Sequence, residues 1–218
     1  EAAQGKDVTE AQMILNHKAA IAFIVENATS ENLSSLDVRS LHALLSENLL
    51  GDPSASGKIR QLAVGIGGTT YLPLENPHIL EECFEMIVEK FNAIEDEFEQ
   101  SLFGLVHFSY LQVFEDVNKR TARLVANVPL IKSNLKPLSF TDLSKEAYVK
   151  SLIGVYEKND VSLITDLYMW AYQRSSRRYT AIQQSLGEPN ALRLAHRQLI
   201  GEIIREIVLE KTEGAKVV

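Results

Sequence analysis

Residues 112–123, Gln-Val-Phe-Glu-Asp-Val-Asn-Lys-Arg-Thr-Ala-Arg, constrain this chain more than any other stretch. An apolar and aromatic run precedes them (Phe103, Leu105, Val106, Phe108, Tyr110, Leu111), and a milder one follows (Ala122, Leu124, Val125, Ala126). The pattern predicts helix, short loop, helix. A second helix that begins near Asn118 turns its unpaired backbone N–H groups and the positive end of its dipole toward the loop, and such an end attracts anions. Arg120 and Arg123 lie three apart, on nearly one face of the first turn. Two guanidinium forks beside a helix N-terminus suit a polyphosphate, because Arg binds phosphate oxygens in pairs. Asp116, two residues before that terminus, is the carboxylate placed to hold the Mg²⁺ that accompanies a nucleotide. The plainer reading of the same spacing makes Asp116 or Asn118 a helix cap and the arginines a solvated face.

The stretch resembles the signature of the Fic domain family, His-x-Phe-x-Asp/Glu-Gly/Ala-Asn-Gly/Lys-Arg-x-x-Arg, at Phe114, Asp116, Asn118, Lys119, Arg120 and Arg123. The resemblance extends to Val64–Pro77, which looks like the family's flap, and to the tail Asn127–Phe140. It implies a mainly α fold, a single Fic-like helical domain of about eight helices with a short β-hairpin flap. It further implies ATP and Mg²⁺ as ligands, and transfer of AMP (AMPylation) or, in some relatives, of phosphate, to a Ser, Thr or Tyr hydroxyl of a protein target. On these terms Asp116 holds Mg²⁺, Asn118 and the helix end take α- or β-phosphate oxygens, and Arg120 and Arg123 take the polyphosphate, with Lys119 a further phosphate ligand. The flap residues Gly67, Gly68, Thr70, Tyr71 and Leu72 are expected to meet the target's extended segment by strand addition.

Three departures from the signature bear on activity. The family's catalytic His falls on Gln112, whose neutral amide cannot accept the proton of an attacking hydroxyl. Lys119 stands where most AMP-transferring members have Gly, and the Asn-Lys-Arg triplet resembles the Doc branch, in which the nucleotide is reversed and phosphate moves. Val117, in the Gly/Ala position, adds bulk to the loop expected to wrap the phosphates. Upstream, Glu26-Asn27 resembles half of the family's inhibitory motif, in which the Glu pairs with the distal arginine, here Arg123; Ala22 replaces that motif's Ser/Thr. The resulting expectation is a Fic-like transferase of attenuated or altered activity. Its rival is a non-catalytic Fic-fold interaction or nucleotide-binding module.

The rest of the chain sets the frame. With 218 residues, 45% hydrophobic and 23% charged, it buries a full core, read as one domain with a core at 9–140 and C-terminal helices at 141–212 packed on it. Helices are expected from Thr9 to Asn27, at 36–50, 78–94, 98–111 and from Asn118, then at 142–157, 160–185 and 189–210, with residues 1–8 frayed. Gly67-Gly68 supplies the positive φ of a tight hairpin at 64–71, and Pro129 is expected to bend or end the motif helix. A net charge of −7 argues against nucleic-acid and anionic-membrane partners. The single cysteine, Cys83, fits a reducing, cytoplasmic setting and a buried apolar role. A homodimer is left open.

Overall fold

In the computed structural model of the protein, residues 2–141 and 143–186 are described, without the side chains of 2–7 and 183–186. Eight α-helices and one 3₁₀ turn (Pro53–Ala55) form among them: α1 Ala2–Glu26, α2 Ser35–Ser46, α3 Pro77–Asn92, α4 Glu97–Leu111, α5 Asn118–Val125, α6 Asn127–Lys132, α7 Lys145–Lys158 and α8 Ser162–Leu186. The expected helix at 189–210 lies outside the described residues. By compactness the chain divides after Ser176 into two units, the second beginning at Arg177. The features below belong to the first unit. No helix among the described residues is long and apolar enough to cross a membrane.

Local chemistry explains most helix starts. Ser34 and Asp37 form a reciprocal capping box at α2, Asn76 caps α3 with Pro77 in its first turn, Asp96 caps α4 and Ser144 caps α7. Pro129 has no N–H to give Val125, and its ring crowds that carbonyl. The motif helix therefore stops at Val125, and α6 restarts at Asn127. At the break, the buried Ser101 hydroxyl donates to the Ala126 carbonyl at 2.5 Å.

α4 is the central helix. It packs against α3, α5, α6 and α7 and buries Ser101, Gly104, Leu105, Val106, Phe108, Ser109 and Leu111. A Cβ on Gly104 would stand 2.8 Å from the Phe91 ring, so only glycine lets α3 come this close. On one side lies a core built by Leu41, Leu45, Phe84, Phe91, Phe108, Phe114 and Val125, and on the other a core of Leu105, Leu130, Leu152, Ile164 and Tyr168. The loop that leaves the C-terminal end of α4 is thus anchored in the central helix, between the two cores.

Several expectations are corrected. α1 begins at Ala2, not Thr9, because Ala2, Ala3, Gln4 and Lys6 are good helix formers and carry the helix through Gly5. Its buried positions are Asn16, Ala20 and Ile24, whereas Leu15, Ile21 and Val25 are exposed. Asn16 donates to the carbonyls of Leu45 and Glu47 at the end of α2. Ile79, Leu163 and Trp170, whose helical spacing predicts a place in apolar core stripes, are also exposed, and Trp170 lies under the Arg174 guanidinium. The β-hairpin is absent: among the described residues no strand forms, and 64–71 runs as an extended loop through a turn at Gly67-Gly68, where Gly68 takes φ +85°. Side chains from elsewhere hold the loop and its two ends instead. Arg60 takes the carbonyls of Leu62 and Leu74, and Glu157 takes the Thr70 N–H and Thr69 hydroxyl.

Candidate active site

The loop between α4 and α5 is shaped by two left-handed residues. Gln112 (φ 52°, ψ 59°) reverses the chain at the end of α4, and Val117 (φ 63°, ψ 3°) turns it into α5. A β-branched residue in this conformation costs about 1–2 kcal/mol. The Val117 side chain is 3% exposed, and burying a valine returns about 1.5–3 kcal/mol. The expected bulk in the phosphate loop is therefore directed into the core. Between the two turns, Asn118 brackets Phe114, its Oδ1 accepting from the Phe114 N–H at 2.9 Å and its Nδ2 donating to the Phe114 carbonyl at 2.7 Å. The Asn118 amide thereby fixes the loop from within.

Two residues outside the motif hold its backbone. Arg60, 1% exposed, donates through Nε to the Gln112 carbonyl at 2.7 Å, through Nη1 to Leu62 at 3.0 Å and through Nη2 to Leu74 at 2.5 Å. Its own N–H reaches the Val113 carbonyl. One guanidinium thus ties both ends of the flap to the motif. Burial pulls its pKa down, opposed by Tyr71 and Glu75, yet an arginine stays protonated at neutral pH.

His42 of α2 is fully buried and stacks on Phe114 with ring centroids 3.8 Å apart. Its Nδ1 accepts from the Gly57 N–H at 3.0 Å, and its Nε2 lies 3.2 Å from the Asp116 carbonyl. An amide N–H only donates and a carbonyl only accepts, so the imidazole is neutral with its proton on Nε2. Burial lowers its pKa from 6.5 to about 4, against the pull of Asp116. Between those values the unfolded chain binds a proton that the folded chain does not. The stabilisation is complete above about pH 6.5 and is lost as pH falls toward 4, by up to about 3 kcal/mol. His17 and His107, also lowered by burial, add in the same direction. Urea midpoints should fall across this window, and the NMR titration of His42 should show no midpoint above pH 5; an imidazole titrating near 6.5 would contradict the assignment.

The Gln112 side chain is 7% exposed and turns back against α4, its Nε2 donating to the Ser109 carbonyl at 2.5 Å. The Tyr156 hydroxyl donates to the same carbonyl. In this arrangement Gln112 caps the end of α4. His107, one turn earlier, packs on Phe103. Asp116 is exposed, and its Oδ1 accepts from the Val117 N–H at 2.6 Å. No group of three or more His, Cys, Asp or Glu among the described residues is arranged for a metal ion. One exposed carboxylate nonetheless fits an Mg²⁺ that brings its other ligands as phosphates and water.

The end of α5 has the character of an anion site. Its first turn has no side-chain cap, and no protein acceptor among the described residues takes the N–H groups of Asn118 and Lys119. Lys119 and Arg120 are partly exposed there, as is Arg123 in the last turn of the same helix. Burial lowers the Arg120 pKa, with Asp116 raising it and Arg123 lowering it. His17 of α1 faces both arginines, which add to the lowering caused by its burial. Glu26, by contrast, is exposed, and among the described residues it makes no ion pair with Arg123. The Arg123 guanidinium instead lies over the rings of Phe140 and Tyr148, at 5.8 and 5.6 Å.

Of the flap residues, Gly67, Gly68, Thr70 and Leu72 are exposed, Leu72 by 76%. Tyr71 is half-buried, stacks on Tyr156 and donates to the Tyr110 carbonyl. Burial raises the pKa of both tyrosines. Sequence reasoning missed His42, although it shares the apolar stripe Val38, Leu41, Leu45, where a histidine needs partners. It also missed Phe140 and Tyr148, which no local pattern links to Arg123.

Comparisons with known proteins bear on the family and the fold. A sequence profile described as the Fic/DOC family matches residues 32–130. Protein adenylyltransferase fic-1 of Caenorhabditis briggsae is 27% identical over 156 residues, 68% of this chain and 30% of that protein. The chain thus spans less than a third of that relative's length. The solved structure of Fic-1 from Caenorhabditis elegans has a TM-score of 0.67 at 21% identity, covering 81% of this chain and 52% of that one. BepC from Bartonella tribocorum, solved with bound AMPPNP, has a TM-score of 0.57 at 11% identity over 74% of this chain and 86% of that one. Residues 32–130 are thus a domain of the Fic/DOC family.

Proposed function

We propose that this domain binds ATP with Mg²⁺ at the start of α5 and transfers AMP or phosphate to a hydroxyl of a protein target, at a rate attenuated by Gln112. The observation that carries the reading is the uncapped α5 N-terminus, with the unpaired N–H groups of Asn118 and Lys119 beside Lys119, Arg120, Arg123 and the exposed Asp116. Phosphates would take these N–H groups and cations, and Asp116 would hold the Mg²⁺. The ion's chemistry is to neutralise phosphate charge. The AMPPNP bound to BepC supports a nucleotide, and the name of the nematode relative supports AMP transfer. Lys119 supports phosphate transfer.

In either case the hydroxyl oxygen attacks phosphorus. Its proton must leave, and pyrophosphate departs in AMP transfer or ADP in phosphate transfer. Orientation and charge stabilisation persist without a base, whose loss typically costs about 10²–10⁴-fold. The target's extended segment would align along the exposed part of the flap. A reducing, cytoplasmic setting is proposed from the lone, partly buried Cys83. A second reading, a non-catalytic interaction module, is favoured by the burial of Gln112 as a helix cap.

Isothermal titration with ATP and Mg²⁺ should give saturable binding below millimolar concentration. Absence of heat at millimolar ligand would favour the interaction module. ATP labelled separately at the α and γ positions then separates the transfers, with γ label expected on protein if Lys119 reverses the nucleotide.

A further inference from the structure

We infer that Phe140 and Tyr148 are positioning residues for Arg123, forming an aromatic notch that keeps its guanidinium clear of carboxylates and edge-on for a polyphosphate. This rests on the nucleotide reading above. The two rings come from different parts of the chain, one from the loop before α7 and one from α7 itself. They meet at 62° with centroids 5.6 Å apart, and the guanidinium carbon lies over both faces. A guanidinium is weakly hydrated on its flat faces and stacks on aromatic rings, while its N–H edge stays free to bind oxygens.

A carboxylate partner would hold Arg123 equally well but would cancel the charge that phosphate needs. No ion pair to Arg123 forms among the described residues. The notch is also tied to the turn that carries the arginine. Asn127 donates to the Arg123 carbonyl at 3.0 Å and to the Leu138 carbonyl at 3.1 Å, and accepts from the Leu138 N–H at 2.6 Å. Ser175 of α8 accepts from the Ser139 N–H next to Phe140. The Tyr148 ring is 6% exposed, and its buried hydroxyl is turned toward the Ser109 side chain, not toward Arg123. Its aromatic face, not its oxygen, is what meets Arg123.

Arg123 lies five residues beyond Asn118, about 7.5 Å along the helix axis, so it serves a different phosphate from the one at the α5 terminus. Triphosphates should feel the notch and monophosphates should not. The test is titration of ATP with Mg²⁺, and of AMP, against wild type, Tyr148→Phe, Tyr148→Leu and Phe140→Leu. Tyr148→Phe should bind ATP as wild type does. The two leucine variants should bind ATP about fivefold to tenfold more weakly, with AMP nearly unchanged. Phe140 is only partly buried, so its variant remains informative if Tyr148→Leu does not fold. ATP affinity unchanged or tightened in folded Phe140→Leu, or equal losses for ATP and AMP, would overturn the notch while leaving the nucleotide reading intact. A wild type without ATP affinity would overturn both.

Discussion

Gln112→His should raise modification of protein by about 10²-fold or more over wild type, with ATP affinity little changed. Gln112 can accept a hydrogen bond from a hydroxyl but cannot remove its proton, whereas a neutral imidazole with a pKa near 6.5 can. The structure favours the replacement. The Ser109 carbonyl that now receives the Gln112 amide can receive an imidazole Nδ1–H, which leaves Nε2 unprotonated and free to act as base. Intact-protein mass spectrometry after incubation with ATP and Mg²⁺ should show added mass, AMP or one phosphate, on the variant or on added protein. A variant that binds ATP yet stays unmodified, with candidate targets present, would mean that Lys119 and the buried Val117 have already moved the loop away from this chemistry. The interaction-module reading would then stand.

Arg60→Met should destabilise the fold by about 3–5 kcal/mol, since it leaves the carbonyls of Gln112, Leu62 and Leu74 without donors, at about 1–2 kcal/mol each. Methionine keeps much of the apolar stem, so lost packing is a small part of the effect. Arg60→Lys should recover little, because an ammonium cannot match a planar fork directed at three separated acceptors. Urea denaturation at pH 7 measures the loss. A change under about 1 kcal/mol would show that water replaces the guanidinium at no cost. Amide exchange across residues 61–76 should quicken in the same variant, since the flap's two ends are then untied.

Much of this architecture was legible in sequence, and the part that was not has a common cause. The loop between α4 and α5, and the start of α5 at Asn118, follow from short-range patterns, and so do helix starts such as Asn76-Pro77, where a capping side chain and its first turn are neighbours in the chain. The cation set Lys119, Arg120 and Arg123 was legible for the same reason. Arg60 and His42 were harder, because their acceptors, Gln112 and Asp116, lie 52 and 74 residues away. The flap shows the limit most clearly. Gly67-Gly68 does make a turn, but whether two arms pair into a ladder depends on what else competes for their backbone groups, and Arg60 and Glu157 compete successfully. For α1, the start moved because propensity is graded along Ala2–Thr9 with no strong cap to fix it.

The anchoring of the α4–α5 loop has a consequence for how this site can change over generations. Phe114 and Val117 point into the core, Asn118 closes on Phe114, and His42 and Arg60 brace the carbonyls behind them. The N–H groups at the head of α5 are therefore held by residues whose loss would weaken the whole protein, independently of any reaction. Selection for a folded chain is enough to keep those N–H groups in place, whatever the residue at position 112 does.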